Sequence, residues 1–388
     1  MPAAAMPHLP TDFDGVLMTA LTTIPTAPFR PLITERADRL DPQLRQQVLA
    51  SPGFGDHFTD HMFLAEWTPD AGWSDGQVVP YGPLQMDPAS AVFHYGQEIF
   101  EGLKAYRHPD GSLWTFRPEQ NAARFQRSAE RLTMPRLPTD WFVGSIDALV
   151  SLDRDWVPAG QEDSLYLRPF MFGSEAFLGV RSSRRYTYAV IASPVAGYFG
   201  QGSAVSLWLA ENHARAARGG TGAAKCGGNY AASLLALAEA SDNGCQQAVF
   251  LDAAESRYVE ELGGMNLYFV YGDGRIVTPS SDSILDGITK NSVKELATDL
   301  GFDVQERPIS LQEWKDGVGS GAITEVFACG TAAVMTPVGR LAWPGGELVM
   351  SAGVQEGDVT QILRTALVDI QYGRAEDRRG WMHPIALD

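Results

Sequence analysis

Cysteine is nearly absent: Cys226, Cys245 and Cys329 are the only three in 388 residues. Their scattered spacing offers neither a disulfide framework nor a paired C-x-x-C zinc pattern, so the chain reads as one kept reduced in the cytoplasm. No apolar run approaches the roughly 20 residues of a membrane span. The opening MPAAAMPHLPTDFDG has no basic patch and no apolar core, and the first arginine is Arg30. Neither a signal peptide nor an Arg-rich transit sequence is expected. Positive charge is also in deficit, with 30 Lys and Arg against 47 Asp and Glu, a net −17. So acidic a body repels phosphate backbones and anionic lipid surfaces, which argues against nucleic-acid and membrane partners. A small anionic substrate would need a local cluster of arginines.

What is present is globular: 45% of residues are hydrophobic and 20% charged, enough apolar mass for more than one core. At roughly 150 residues per domain, the length suggests two domains. Residues 1–52 read as an N-terminal arm of low regularity, ending in a short helix around ERADRLDPQLRQQ. Residues 53–197 read as a small α+β domain. Within it HMFLAEW, GQVVPYG, EGLKAYRH and SLWTFR have strand texture, and Asp110-Gly111 turns a hairpin between the last two. NAARFQRSAERL carries Ala122, Phe125 and Ala129 on one helical face. A second helix lies around VGSIDALVSL, and SLYLRPFMFG and RYTYAVIAS are strands. A Gly/Ser-rich interdomain linker is expected at 198–206. Residues 207–388 then form a larger α/β domain. There, NYAASLLALAEASDNG places Ala231, Leu234, Leu235 and Ala238 on one face of a single helix. QAVFLD is a buried strand, and MNLYFVYGDGRIVTP is a hairpin turning at Asp273-Gly274. KNSVKELATDLG is a helix stopped by Gly301, DVQERPI and EVFACGTA are strands, and DVTQILRTALVDIQYG is a last helix.

Lysine is the scarcer base, confined to Lys104, Lys225, Lys290, Lys294 and Lys315. Lys225 stands in GGTGAAKCGGNY, between glycines that let a backbone approach a ligand. An amine held there out of bulk water can act as a nucleophile; a surface turn with an incidental lysine fits the same window. The P-loop pattern fails, because Lys225 follows Ala224 and precedes Cys226. A dinucleotide fingerprint at Gly220 and Gly222 fails for want of a strand entering it. Gly287-Ile288-Thr289 opens a helix whose N–H groups suit a phosphate, or is a Thr N-cap after a Gly turn. Cys329-Gly330-Thr331-Ala332 offers amides and a hydroxyl to an anion, or is a plain turn. Glu261 enters an apolar hairpin, where a carboxylate needs a cationic partner, unless it faces water at a strand end. Tyr166 and Arg168 share a strand face, suiting a carboxylate or a structural ion pair. His57 and His61 stand four apart, but no third ligand completes a site, and no metal is expected. Cys226 has no cysteine at redox spacing.

Together these windows resemble the fold-type IV pyridoxal-phosphate enzymes, the D-amino-acid aminotransferase-like fold, and within them the branched-chain amino-acid aminotransferases. The group's signature reads here as Glu261-x-Gly263-x-x-Asn266-Leu267-Tyr268, Ile276-x-Thr278 and Leu285-x-Gly287-Ile288-x-Lys290. The branched-chain subgroup reads in FHYGQEIFEGLKAY, SLYLRPFMFGSE, KCGGNYAASLLA, DNGCQQ and DIQYGR. The likeness spans roughly Gly53 to Arg374. It implies a smaller α+β N-terminal domain and a larger α/β pseudo-barrel C-terminal domain, with pyridoxal 5′-phosphate between them. It also implies a homodimer in which a first-domain loop of one subunit closes the other's site. By matched position, Lys225 is implied to hold the cofactor and shuttle a proton between Cα and C4′. Glu261 is implied to face the pyridine nitrogen, Tyr230 the O3′ oxygen, and Arg124 to clamp the phosphate. Ile288 and Thr289 match a helix-start phosphate site, and Thr331 a further phosphate donor. For substrate, Tyr95 and the backbone around Ala332 match the groups that hold the α-carboxylate. Phe54, Phe100, Tyr166 and Tyr198 match the walls of an apolar pocket, and Arg168 is the candidate for a second carboxylate.

The activity implied is ping-pong transfer of the amino group of L-leucine, L-isoleucine or L-valine to 2-oxoglutarate. Rivals sharing the fold are a D-amino-acid aminotransferase and an aminodeoxychorismate lyase. A non-catalytic pyridoxal-phosphate-binding protein is a rival of another class, and retention of Lys225, Glu261, Tyr230 and Arg124 argues against it. Two departures stand out. Ala333 and Thr336 occupy positions where some family members carry a C-x-x-C pair, so no thiol switch is expected there. Gly264 stands where some members have a threonine near the substrate.

Overall fold

Strands that bury alternate residues need a cover, and the first half supplies it with two amphipathic helices. The computed structural model describes residues 29–160, 162–197, 204–350 and 358–387; Tyr198 and most of the expected linker lie outside these. The first half forms β1 (Leu32–Ile33), β2 (His61–Thr68), β3 (Gly72–Trp73), β4 (Gln77–Pro80), β5 (Glu98–Phe100), β6 (Leu103–Arg107), β7 (Leu113–Phe116), β8 (Ser164–Gly173) and β9 (Tyr186–Val195). The second half forms β10 (Val205–Leu209), β11 (Gln247–Leu251), β12 (Val259–Leu262), β13 (Asn266–Tyr271), β14 (Arg275–Thr278), β15 (Asp303–Glu306), β16 (Ile323–Gly330), β17 (Val334–Trp343) and β18 (Gly346–Val349), and the chain ends on β19 (Met382–Ile385).

Among the described residues these make two sheets. The first has ten strands in the order β1-β4-β2-β9-β8-β6-β7-β19, with β3 on β2 and β5 on β8. The second has nine, in the order β12-β11-β10-β17-β16-β13-β14-β15, with β18 on β17. Parallel pairs (β10 with β11 and β17, β14 with β15) mix with antiparallel ones. This is the α/β architecture with a curled second sheet that the sequence leads one to expect. Two strands cross the expected boundaries. β1, inside the arm, pairs with β4, and β19, at the far end of the second half, pairs with β7. Val205 and Ser206, expected in the linker, already belong to β10.

Helices α1 (Pro42–Ala50), α2 (Ala91–Tyr95), α3 (Pro118–Arg131) and α4 (Thr139–Leu152) belong to the first half. Ala122, Phe125 and Ala129 of α3 are wholly buried, as their spacing requires. Phe125 packs edge-on against Tyr188 and tilted against Phe142 of α4, at 5.7 and 5.5 Å between ring centroids. The window of His57 and His61 is not helical; His61 opens β2. Its Nε2 accepts the Arg36 N–H at 2.8 Å, which makes Nδ1 the protonated nitrogen that meets Asp153 at 2.6 Å.

The second half adds α5 (Gly227–Ala231), α6 (Leu234–Asp242), α7 (Ile288–Asp299), α8 (Leu311–Ser320) and α9 (Val359–Gln371). The single helix expected over 229–244 is instead two. Ser233 Oγ donates to the Tyr230 carbonyl at 2.7 Å, which competes with the helical ladder and breaks it. The break resets the phase, so Leu234 and Leu235 are 63% and 61% exposed while Ala236 and Ala240 are buried against Phe250. The second sheet is covered on both faces. Trp314 of α8 fills one core; Leu296, Leu363 and Leu367 of α7 and α9 fill another, which Tyr106 and Phe116 of the first sheet join. That shared core is what fixes the two sheets against each other. Among the described residues, no helix is long and apolar enough to cross a membrane.

Truncating Phe125 to alanine removes a fully buried ring from the α3 contact and is expected to lower stability by about 3–5 kcal/mol. Leu44→Ala on the exposed face of α1 should change it by less than about 0.5 kcal/mol. Urea unfolding of both variants checks the assignment.

Candidate active site

Lys225 is carried on a loop whose backbone is fixed from both sides. The Phe100 N–H donates to the Lys225 carbonyl at 3.0 Å, and the Lys225 N–H donates to Ser128 Oγ on α3 at 2.9 Å. Ala224 and Cys226 are buried in the first core, so the side chain between them turns the other way, into a cleft between the sheets. Asn229 Nδ2 donates to the carbonyls of Thr221 and Ala224, both at 2.8 Å, and closes the glycine-rich turn ahead of it. The Lys225 Nζ donates to Tyr230 Oη at 2.7 Å and lies 4.8 Å from the centroid of Phe100. Phe100 and Tyr230 touch at 4.9 Å, so aromatic faces hem the amine in.

At one end of the cleft stands Glu261 on β12, 4% exposed. It accepts the Leu285 N–H at 2.9 Å and Asn266 Nδ2 at 3.0 Å, and pairs with Arg215 Nη2 at 2.6 Å. Burial pushes its carboxyl pKa up to about 6, against the pull of the Arg215 guanidinium and the Leu285 N–H. Arg215 is itself buried and also donates to the Ser283 carbonyl.

Asn266 links Glu261 to the start of α7. A Cβ on Gly287 would strike the Asn266 side chain, so the sharp entry into this helix requires glycine. No side chain caps α7, and the first-turn amides at Ile288 and Thr289, with the dipole of a twelve-residue helix, are donors suited to an anion. Beside it Arg124 is buried, with Nε and Nη2 on the two oxygens of Glu101 at 2.7 and 2.8 Å and Nη1 on the Asp286 carbonyl at 3.0 Å. Burial works against the Glu101 charge, but the guanidinium outweighs it and holds that carboxyl below its ordinary range. Each terminal nitrogen of Arg124 carries a second N–H with which to meet an anion.

The third wall comes from the first sheet. Arg168 Nη2 donates to Tyr166 Oη at 2.9 Å, and its guanidinium lies 4.6 Å over the Phe100 ring. Its Nε is buried without a partner among the described residues. Phe54 meets Tyr166 at 5.4 Å. The turn at Thr331 and Ala332 closes the fourth side. The resulting cleft, ≈310 Å³, is lined by Phe54, Phe100, Arg124, Tyr166, Arg168, Lys225, Tyr230, Glu261, Ile288, Thr289, Thr331 and Ala332. A larger cavity, ≈690 Å³, opens on the first sheet, but it gathers Glu66, Asp75, Asp87 and Glu175 around the single cation Arg185 and contains no lysine. Only the smaller of these two spaces gathers a lysine amine with Arg124, Arg168 and Glu261.

One expected residue is not brought there, and another lies outside the described residues. Tyr95 is on the surface, 39% exposed, with its hydroxyl donated to the Leu178 carbonyl, because α2 lies outside the cleft. Tyr198 lies outside the described residues. A third is present but turned: the Thr331 hydroxyl donates to the Gly102 carbonyl at 3.2 Å, so serving a phosphate would require it to rotate. Conversely, Arg215, Glu101 and Ser128 matter to the geometry and were not singled out by sequence. Only Glu101 had a signal, as the acid of the FEG window; the others are unremarkable letters until folding buries them.

Residues 98–341 match the family described as amino-transferase class IV. A protein of Streptomyces coelicolor named a probable branched-chain-amino-acid aminotransferase is 56% identical over 367 residues, covering 94% of this chain and all of its own. A Mycolicibacterium smegmatis protein named a branched-chain-amino-acid aminotransferase is 56% identical over 345 residues, 87% of this chain and 94% of its own. Among solved structures, the Escherichia coli branched-chain amino acid aminotransferase superposes with a TM-score of 0.71 at 26% identity, over 84% of this chain and 99% of that one. The branched-chain amino acid aminotransferase of Thermobaculum terrenum, solved in its PLP-bound holo form, gives 0.67 at 25% identity, over 84% and 98%.

Arg124→Ala would strand the Glu101 carboxylate in the interior, and stability is expected to fall by about 3–5 kcal/mol. The double variant Arg124→Met with Glu101→Leu should recover most of that loss. A urea midpoint for the single variant close to wild type would rule the pair out as the anchor of this wall.

Proposed function

The chain belongs to the class IV amino-transferases, and from that premise we propose that it moves the amino group of L-leucine, L-isoleucine or L-valine to 2-oxoglutarate with pyridoxal 5′-phosphate as cofactor. One observation carries the reading: a single lysine amine, held on a phenol, shares a cleft with a buried carboxylate and the uncapped start of a helix. That donor set fits the cofactor. An aldehyde-bearing ring with a basic nitrogen and a phosphate needs an amine, a carboxylate for the nitrogen and N–H donors for the phosphate. When bound, the group supplies an electron sink that stabilises negative charge left at the substrate's α-carbon.

The protein's own residues do the rest. Lys225 holds the cofactor, and its Nζ takes the proton from the substrate α-carbon and returns one in the second half-reaction. Tyr230 keeps that amine oriented and would donate to the ring oxygen. Glu261 keeps the ring nitrogen protonated, and Arg215 keeps Glu261 charged; without that cation burial alone would favour the neutral acid. Arg124 and the amides of Ile288 and Thr289 would hold the phosphate, and the Thr331 hydroxyl would join them only by turning from the Gly102 carbonyl. The amide groups around Ala332 receive the α-carboxylate. Phe54, Phe100 and Tyr166 enclose the substrate side chain, where each buried methylene contributes about 0.8 kcal/mol, favouring leucine over alanine. Arg168, with its unpartnered Nε, receives the second carboxylate of glutamate or 2-oxoglutarate. A homodimer supplies Tyr95 from the neighbouring copy, which accounts for its position on the surface of its own chain. The cytoplasm is the compartment we assign, since three scattered cysteines suit a reducing environment.

The test is the visible spectrum of the purified holoenzyme. Its yellow absorption should bleach on addition of L-leucine alone and return with 2-oxoglutarate. Indifference to L-leucine, with a response to D-alanine instead, would overturn the substrate assignment, and a Lys225→Ala protein that still bleached would overturn the role of Lys225. Arg168→Ala is expected to slow the 2-oxoglutarate half-reaction about ten- to a hundredfold, the worth of a charged hydrogen bond. It should leave the L-leucine half-reaction within about threefold. Equal losses in the two, measured by single-turnover absorbance, would remove Arg168 from specificity.

A further inference from the structure

One cation of the cleft has no acid on it. Arg168 donates from Nη2 to Tyr166 Oη at 2.9 Å and lies 4.6 Å from the centroid of Phe100. Its Nε is buried without a partner, and among the described residues no carboxylate pairs with it. A guanidinium so placed suits the second carboxylate of glutamate. Leucine, however, brings an apolar side chain to the same pocket, and covering an unanswered charge with methyl groups is costly. A fixed negative charge nearby would remove that cost when the substrate brings none.

The strand register leads to Glu98. In β8 the buried Leu165, Leu167 and Pro169 alternate with Tyr166, Arg168 and Phe170, which share the face turned to the cleft. β5 pairs with β8 through Phe100 and Phe170, then through Glu98 and Phe172. Ile99, between them, is buried in the first core, so Glu98 and Phe100 face the cleft side as well. Along that face the order is Arg168, Phe100, Glu98, with an aromatic ring between two opposite charges. Charges that act across an apolar ring are screened far less than charges in water. The acid is also held in place. It accepts the Gly227 N–H at the start of α5, and a Cβ on Gly227 would strike the same carboxylate. Burial pushes the Glu98 carboxyl up, against the pull of the Gly227 N–H and of the Arg168 charge. Glu98 does not itself line the cleft, so it can act on a substrate only through Arg168.

We propose that Glu98 is a specificity-determining counter-charge to Arg168: it answers the guanidinium while an apolar side chain fills the pocket, and it yields that place to the second carboxylate of glutamate or 2-oxoglutarate. The inference rests on the amino-transfer reading above and deepens it. Glu98 is a positioning residue rather than a catalytic one. Its charge favours leucine, whose binding would otherwise bury an unpaired cation, and it opposes glutamate, whose second carboxylate it repels. Removing the charge must therefore move the two affinities in opposite directions. Losing the Gly227 anchor alone would move them together.

The experiment uses two amine-free probes on the holoenzyme, both followed by cofactor absorbance. 4-Methylpentanoate carries an apolar tail, and glutarate carries a second carboxylate. Glu98→Gln keeps an oxygen for the Gly227 N–H and removes the charge. It is expected to weaken 4-methylpentanoate binding about tenfold and to tighten glutarate binding about threefold, with KM for L-leucine and L-glutamate moving in the same two directions. In an Arg168→Ala background, Glu98→Gln should change 4-methylpentanoate binding by less than about twofold, because the charge it answers is gone. If Glu98→Gln does not fold, Glu98→Ala replaces it, with the same shift expected in the ratio of the two affinities. Equal losses with both probes, no change in either, or an undiminished effect in the Arg168→Ala background would overturn the proposal. Failure of the wild-type enzyme to respond to L-leucine at all would instead overturn the function on which it rests.

Discussion

The buried pair of Arg124 and Glu101 is the constraint from which the site is built. Two ions taken out of water are tolerated only when their remaining valences are satisfied, and here that requirement draws in the neighbouring elements. Glu101 accepts Asn121 Nδ2 at 2.7 Å and the Gly102 N–H at 3.1 Å, which fixes the peptide between β5 and β6. The Gly102 carbonyl, so placed, receives the Thr331 hydroxyl and thus locates the turn after β16. Arg124 meanwhile reaches across to the Asp286 carbonyl, one residue before the Gly287 entry to α7. The start of α7 and the turn after β16, both walls of the cleft from the second half of the chain, are thereby registered against the first.

A second consequence is electrostatic. The chain carries −17 overall, a field that opposes anionic substrates at long range, yet the cleft and its backing concentrate Arg124, Lys225, Arg168, Arg215 and Lys104. Each of these cations is held against aromatic faces, carbonyls or a buried acid rather than exposed, so its field is felt inside the cleft and screened little by salt. Glu261 is the exception. It is a carboxylate in a cationic neighbourhood, its tendency to neutralise offset by Arg215, and it is suited to facing a group that must carry a proton.

Local sequence made much of the fold legible. Strands such as SLYLRPFMFG and the α3 face of Ala122, Phe125 and Ala129 depend on periodicity, and periodicity survives into the structure because one core covers one face. Where a local hydrogen bond competes with the ladder, the reading fails. Ser233 interrupts a window with an unbroken apolar period, and Leu234 and Leu235, the residues that period would bury, lie exposed. The pairing of β1 with β4 and of β19 with β7 was also invisible, because a two- or four-residue strand carries no period of its own and is defined only by the edge it finds.

At the site, sequence by itself determined which residues carry reactive or directional groups: the amine of Lys225 between glycines, the acid of Glu261, the helix start at Gly287-Ile288-Thr289, the shared face of Tyr166 and Arg168. Those follow from covalent chemistry and from spacing along one element. Only the tertiary structure decided which of them meet and in what state. It set Arg215 on Glu261, Glu101 on Arg124 and Lys104 on Ala332, left Tyr95 on the outside, and turned the Thr331 hydroxyl to Gly102. The physical reason is that burial and charge pairing act through space, between residues as far apart as Lys104 and Ala332, and no property of either residue's neighbours in the chain records the encounter.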